Sequence, residues 1–127
     1  MKKIGFITTN KVFAQSLAAL IKDSPDLQLE PYLLLDLRQA ALDAEVLKIE
    51  VAVVEEVAGV AAEAETIRSL CQKLRRTVPG CQILLLVPPN DAVMYNRAME
   101  VVADKLADDF IFCDASLDYL LTKLLAL

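Results

Sequence analysis

Histidine and tryptophan are both absent from this chain of 127 residues. Without histidine the commonest general base, phosphoacceptor and metal ligand is missing. Glycine occurs only as Gly5, Gly59 and Gly80, so neither a G-x-G-x-x-G turn nor a Walker loop can be assembled. The cysteines Cys71, Cys81 and Cys113 are odd in number and never spaced C-x-x-C. That argues for free thiols in a reducing compartment and against a zinc site. Positive charge is also short: 13 Lys and Arg against 18 Asp and Glu give a net charge of −5. Such a balance disfavours nucleic acid as a partner and gives no reason to expect an anionic membrane surface. The one basic cluster, Lys73, Arg75 and Arg76, falls late in a helical stretch, where cations complement the helix dipole. No apolar run approaches membrane-spanning length. The start "MKKIGFITTN" holds only Ile4 to Ile7 as an apolar core, too little for a signal peptide. A cytoplasmic location without membrane contact is expected.

What the chain does have is hydrophobic material, 56% of its residues against 24% charged. At this length it forms one domain, residues 1–127, able to bury roughly two-thirds of its unfolded surface. Short apolar runs alternate with helical periods. Ile4 to Ile7 reads as a first strand, and Phe13, Leu17, Leu20 and Ile21 then share a helical face that Pro25 closes. Leu27 to Leu35 reads as a second strand, which Pro31 marks as an edge or bulged strand. Asp36 is the expected N-cap of a helix that buries Leu37, Ala40, Ala41, Ala44 and Leu47. The third strand, Val51 to Val54, runs into Glu55 and Glu56.

After Gly59 a helix gathers Ile67, Leu70, Cys71 and Leu74, and "VPG" stops it. Gln82 to Val87 is continuously apolar, as in a strand covered on both faces. Asp91 caps a helix bearing Val93, Met94, Ala98, Val101 and Val102. Asp109 to Cys113 is a fifth strand, and Ser116 to Leu125 a last helix. Five β-α units with helix-length crossovers require a parallel sheet with helices on both faces, because each crossover is right-handed. The expected class is therefore α/β, a three-layer sandwich.

This pattern resembles the receiver domain of bacterial response regulators over the whole chain. The resemblance implies a flavodoxin-like fold with strand order 2-1-3-4-5. "IEVAVVEEV" is similar to the third strand that ends in the phosphoacceptor aspartate, and "LADDFIFCDAS" to the stretch around the fifth strand. In an open α/β sheet the ligand crevice lies at the carboxyl ends of the strands. There the family carries an acid pair for Mg²⁺, an acceptor aspartate, a Thr or Ser hydroxyl and a Lys-Pro. At those positions this chain has Thr8 and Thr9, Glu55, Val87, and Cys113 followed by Asp114. Mg²⁺ needs hard oxygen ligands that include carboxylates, and no cation remains to neutralise a transferring phosphoryl group.

The expectation is a degenerate phosphoacceptor pocket with no catalytic residue, no metal and no cofactor. Glu55 as a mimic of phosphoaspartate is disfavoured, since it carries one charge where a phosphoryl group carries nearly two. A solvated Glu55, paired with Lys11 or with nearby amides, is the plainer reading. Flavin is excluded by the missing loop glycine and the absence of a stacking tryptophan. Cobalamin is excluded by the absence of histidine.

A receiver-like domain without chemistry works through its surface. The resemblance implies a face made by the fourth helix, fifth strand and fifth helix, through which a protein partner or a second copy docks. The candidate contacts there are Met94, Val101, Phe110, Leu120 and Leu124. In the last helix Leu117, Leu120, Leu121, Leu124, Leu125 and Leu127 span roughly 160°, wider than the ~100° stripe a core demands. Between Val87 and Cys113 the chain is roughly one helical turn longer than the family's spacing. The expected function is phosphorylation-independent assembly or localisation. One such setting is the N-terminal position in tight-adherence pilus-assembly ATPases, as a fragment or a stand-alone relative. The alternative is a receiver with unusual ligand or phosphoryl binding, coupled to a DNA-binding output domain outside this chain.

Overall fold

A computed structural model describes residues 2–55, 67–114 and 116–127. The elements run β1 (Lys2–Ile7), α1 (Lys11–Lys22), β2 (Leu29–Leu34), α2 (Ala40–Leu47), β3 (Val51–Glu55), α3 (Ile67–Thr77), β4 (Gln82–Val87), α4 (Ala92–Ala103), β5 (Asp109–Phe112) and α5 (Leu117–Ala126). The strands form one parallel sheet in the order β2-β1-β3-β4-β5, the order expected. β2 is an edge strand, where Pro31 costs no ladder bond on the solvent side.

Side chains alternate across the sheet and divide the core in two. Ile4, Phe6, Val51, Val53, Leu84, Leu86 and Ile111 face α1 and α5. Ile7, Ala52, Val54, Ile83, Leu85 and Val87 face α2, α3 and α4. Both faces of β3 and β4 are thereby covered, which is why those strands read as unbroken apolar runs. Among the described residues no helix is long and apolar enough to cross a membrane.

Side-chain caps set three helix starts. Asn10, Asp91 and Ser116 accept from the amides of Phe13, Met94 and Tyr119. Several expected boundaries move: β1 starts at Lys2 rather than Ile4, and β5 closes at Phe112 rather than Cys113. The second strand begins at Leu29 rather than Leu27, because Pro25–Leu27 forms a 3-10 turn closed by Gln28 in the left-handed region at φ 53°. The second helix begins at Ala40, not directly after Asp36. Asp36 instead accepts from the Arg38 amide at 3.0 Å and its carbonyl from Gln39, which completes a separate turn.

Arg75 has a positional role beyond the helix dipole. It donates to the Cys81 carbonyl at 2.9 Å, the Leu106 carbonyl at 3.2 Å and Asp108 Oδ2 at 3.0 Å. Asp108 Oδ2 also accepts from the Ile83 amide at 2.7 Å. This one cation therefore ties the end of α3 to the starts of β4 and β5. The described geometry thus accounts for Arg75 as a structural residue.

Candidate functional site

The carboxyl edge of the sheet is assembled by register. Ile7 pairs with Val54, Glu55 with Leu86, and Val87 with Phe112. The residues that follow, Thr8 after β1 and Cys113 after β5, therefore stand at the same end as Glu55. Thr8 is only 2% exposed and Val87 is fully buried. Glu55 and Cys113 are half-buried and Thr9 is exposed. Glu56 and Gly59 lie outside the described residues.

Thr8 is held at both ends of its hydroxyl. Its Oγ1 donates to Glu55 Oε1 at 3.2 Å and accepts from the Asn10 amide at 3.0 Å. Glu55 is therefore satisfied by a neutral hydroxyl. It makes no ion pair with Lys11 among the described residues, contrary to expectation. Burial raises the Glu55 carboxyl above its ordinary value, and the bond from Thr8 offsets part of that rise. Burial likewise pushes the Cys113 thiol up to about 11, with the negative charges of Glu55 and Asp114 adding to it. The site thus sets the Glu55 carboxyl against the Thr8 hydroxyl, with the Cys113 thiol near enough to sense the charges of Glu55 and Asp114.

Mg²⁺ takes carboxylate oxygens in near-octahedral array, and among Thr8, Thr9, Glu55, Val87 and Cys113 the one carboxylate is Glu55. The Thr8 hydroxyl is already spent between Glu55 and Asn10, and Val87 turns an apolar side chain into the α4 side of the core. Among the described residues no group of three His, Cys, Asp or Glu side chains is placed to hold a metal ion.

The raised Glu55 gives a stability prediction. A carboxyl whose folded pKa lies above its unfolded value binds its proton more tightly when folded. Stability therefore declines as pH rises from the unfolded value through the folded one, and the cost is full at neutral pH. Glu55→Gln keeps an acceptor for Thr8 and removes the charge. The variant is expected to melt higher than the parent at pH 7 and to lose the advantage near pH 4. A lower melting temperature at pH 7 would show that Glu55 has a stabilising charge partner.

The second surface lies between α4, β5 and α5. Here the expected contacts divide. Met94, Val101, Leu120 and Leu124 are buried: the first two pack under α4 and the others under α5. They are core residues and offer nothing to a partner. The wide leucine stripe reflects this, since Leu120 and Leu124 anchor the helix and, among the described side chains of the stripe, only Leu125 is strongly exposed, at 52%. The side chain of Leu117 lies outside the described atoms.

Phe110 is half-buried and belongs to a cluster that helical and strand periodicity did not single out. Tyr95 and Phe110 meet edge-on at 5.7 Å, Tyr95 and Phe112 stack at 6.0 Å, and Phe110 and Phe112 meet edge-on at 5.9 Å. The signal was available: residues two apart on a strand share a face, so Phe110 and Phe112 had to stand together. Lys123 on α5 pairs with Asp109 Oδ2 at 2.5 Å. Burial alone would raise the Asp109 carboxyl; the bonds from Lys123 and the Phe110 amide, with the lysine charge, outweigh it and hold the group below its ordinary value.

Solved structures share this fold. The chain matches a two-component response regulator from Clostridium difficile with a TM-score of 0.79 at 18% identity, covering 99% of this chain and 94% of that one. It matches the Vibrio cholerae chemotaxis protein CheY4 with a TM-score of 0.74 at 17% identity, covering 98% and 96%. An adenylate cyclase from Rhodopirellula baltica matches with a TM-score of 0.79 at 16% identity, covering 98% and 85%. No family model and no curated protein matches the sequence. The fold is that of the response-regulator receiver domain, CheY-like and flavodoxin-like.

Proposed function

We propose that this chain is a pseudo-receiver, a protein–protein interaction module of bacterial signalling or assembly that neither accepts nor transfers a phosphoryl group. The observation that carries the reading is the Thr8–Glu55 hydrogen bond beside the Cys113 thiol. It occupies the receiver crevice with neutral donors where phosphoryl transfer calls for cations. On this reading the chain is not an enzyme, and its work is done by the surface of α4, β5 and α5 on a protein partner or a second copy. A cytoplasmic site of action belongs to the same proposal, supported by the three cysteines being free thiols. The net charge of −5 argues against nucleic acid as the partner of this domain.

The test is direct. Incubated with acetyl phosphate and Mg²⁺, the intact protein is expected to show no phosphoryl mass increment under conditions that label a working receiver. Labelling that maps to Glu55, or to any residue at the carboxyl edge, would overturn the proposal.

A further inference from the structure

Four phenylalanines and three tyrosines are all the aromatic residues of the chain, and Tyr95, Phe110, Phe112 and Tyr119 gather on the face between α4 and α5. A shallow groove of about 370 Å³ runs along β5 there, lined by Phe110, Ile111, Phe112, Asp114 and Tyr119. Phe112 and Tyr119 are 39% and 49% exposed, much for rings that gain most from burial. The charges around them are unbalanced. Lys123 is taken by Asp109, whereas Asp114 makes no ion pair or hydrogen bond among the described residues. Lys123 Nζ lies 6.0 Å from the centroid of the Tyr119 ring, so that ring already has a cation near its face.

We infer that this groove receives a partner segment carrying arginine, with the guanidinium stacked on Tyr119 and its N–H fork on Asp114. Arginine fits better than lysine because its plane lies flat on aromatic faces and its fork matches a carboxylate. A purely apolar partner would leave Asp114 desolvated and unpaired, and an acidic one would be repelled. The inference rests on the proposed interaction function and specifies its partner by chemistry.

The experiment is an amide-resolved NMR titration of the full chain with the peptide acetyl-Leu-Arg-Ile-Arg-Leu-amide and its citrulline counterpart, which keeps the shape and loses the charge. The arginine peptide is expected to shift Phe110, Phe112, Asp114 and Tyr119. Its affinity should fall at least about tenfold in Asp114→Asn, in Tyr119→Ala and on the change to citrulline, roughly one charge-assisted contact each. Both substitutions are at exposed positions and leave the core intact. Equal binding of the two peptides, shifts confined to another face, or no shifts at all would overturn the inference. So would concentration-dependent broadening of these amides without peptide, which would place a second copy in the groove. Failure here leaves the unlabelled crevice untouched, and labelling by acetyl phosphate leaves the groove untouched, so the two readings fall separately.

Discussion

Gly5→Val is expected to lower the stability of the folded chain by about 3 kcal/mol, and Gly5→Ala by about 1 kcal/mol. Gly5 lies buried in β1, between Tyr32 of β2 and Ala52 of β3. A Cβ at this position would stand 3.1 Å from Leu34 Cδ1 and 3.2 Å from Ile49 Cγ2. Both neighbours are buried in the core on the α2, α3 and α4 side and would have to give by a few tenths of an ångström. That part of the core is built from small residues: Gly5 and Ala52 on the sheet, and Ala40, Ala41 and Ala44 as the buried residues of α2. Small residues allow a helix and a sheet to approach closely, and the branched methyls of valine would force them apart. A loss of this size is a large share of the roughly 5–15 kcal/mol that stabilises a domain. Urea unfolding followed by circular dichroism checks it, with the midpoint falling and the slope unchanged. Gly80→Val is the control, because a Cβ there meets nothing within 4 Å. A shift for Gly5→Val no larger than the control would mean that α2 has slack.

The same small-residue packing shows what a sequence can and cannot disclose. The strands β1, β3 and β4 were legible because burial on both faces leaves an unbroken apolar run, and period alone locates it. Asp91 as a cap was legible because an acceptor side chain before an apolar helical pattern has one obvious use. Asp36 misled for the opposite reason. Its carboxylate is satisfied by Arg38 in a turn, and sequence cannot distinguish that local bond from a cap three residues later.

The interface residues failed on a different ground. The receiver resemblance points to a face but not to which of its side chains the sheet covers, and Met94, Val101, Leu120 and Leu124 on that face are core. The face offered to solvent is carried instead by Tyr95, Met99, Phe112 and Tyr119. These amphipathic or polarisable side chains fit a partly wet surface as well as a core, and their spacing does not decide between the two. At the crevice, Thr8, Glu55, Val87 and Cys113 were legible as a group through the receiver resemblance. The hydroxyl bridge from Thr8 to Glu55 was not, because it depends on the side-chain reach across two neighbouring strands.

Supplying the side chains that working receivers carry is expected to supply phosphoryl chemistry. A chain carrying Thr8→Asp, Thr9→Asp, Glu55→Asp, Val87→Thr and Cys113→Lys should gain a phosphoryl increment on the shortened carboxylate at position 55 with acetyl phosphate and Mg²⁺. Glu55→Asp alone should gain none. The backbone already brings the key positions together: Thr8 Oγ1 and Glu55 Oε1 lie 3.2 Å apart, and Cys113 feels the charge of Glu55. The substitutions would supply carboxylate oxygens for the ion and a cation for the charge that develops in transfer. Without Mg²⁺ the crowded carboxylates repel one another, so the variant should be less stable than the parent. With Mg²⁺ it should recover, by the ordinary linkage between a bound ion and the folded state. Thermal melts with and without Mg²⁺ therefore report whether the acidic cage has formed, independently of labelling. If the variant folds, gains stability from Mg²⁺ and still resists acetyl phosphate, the deficiency lies in the backbone at the strand ends rather than in the side chains.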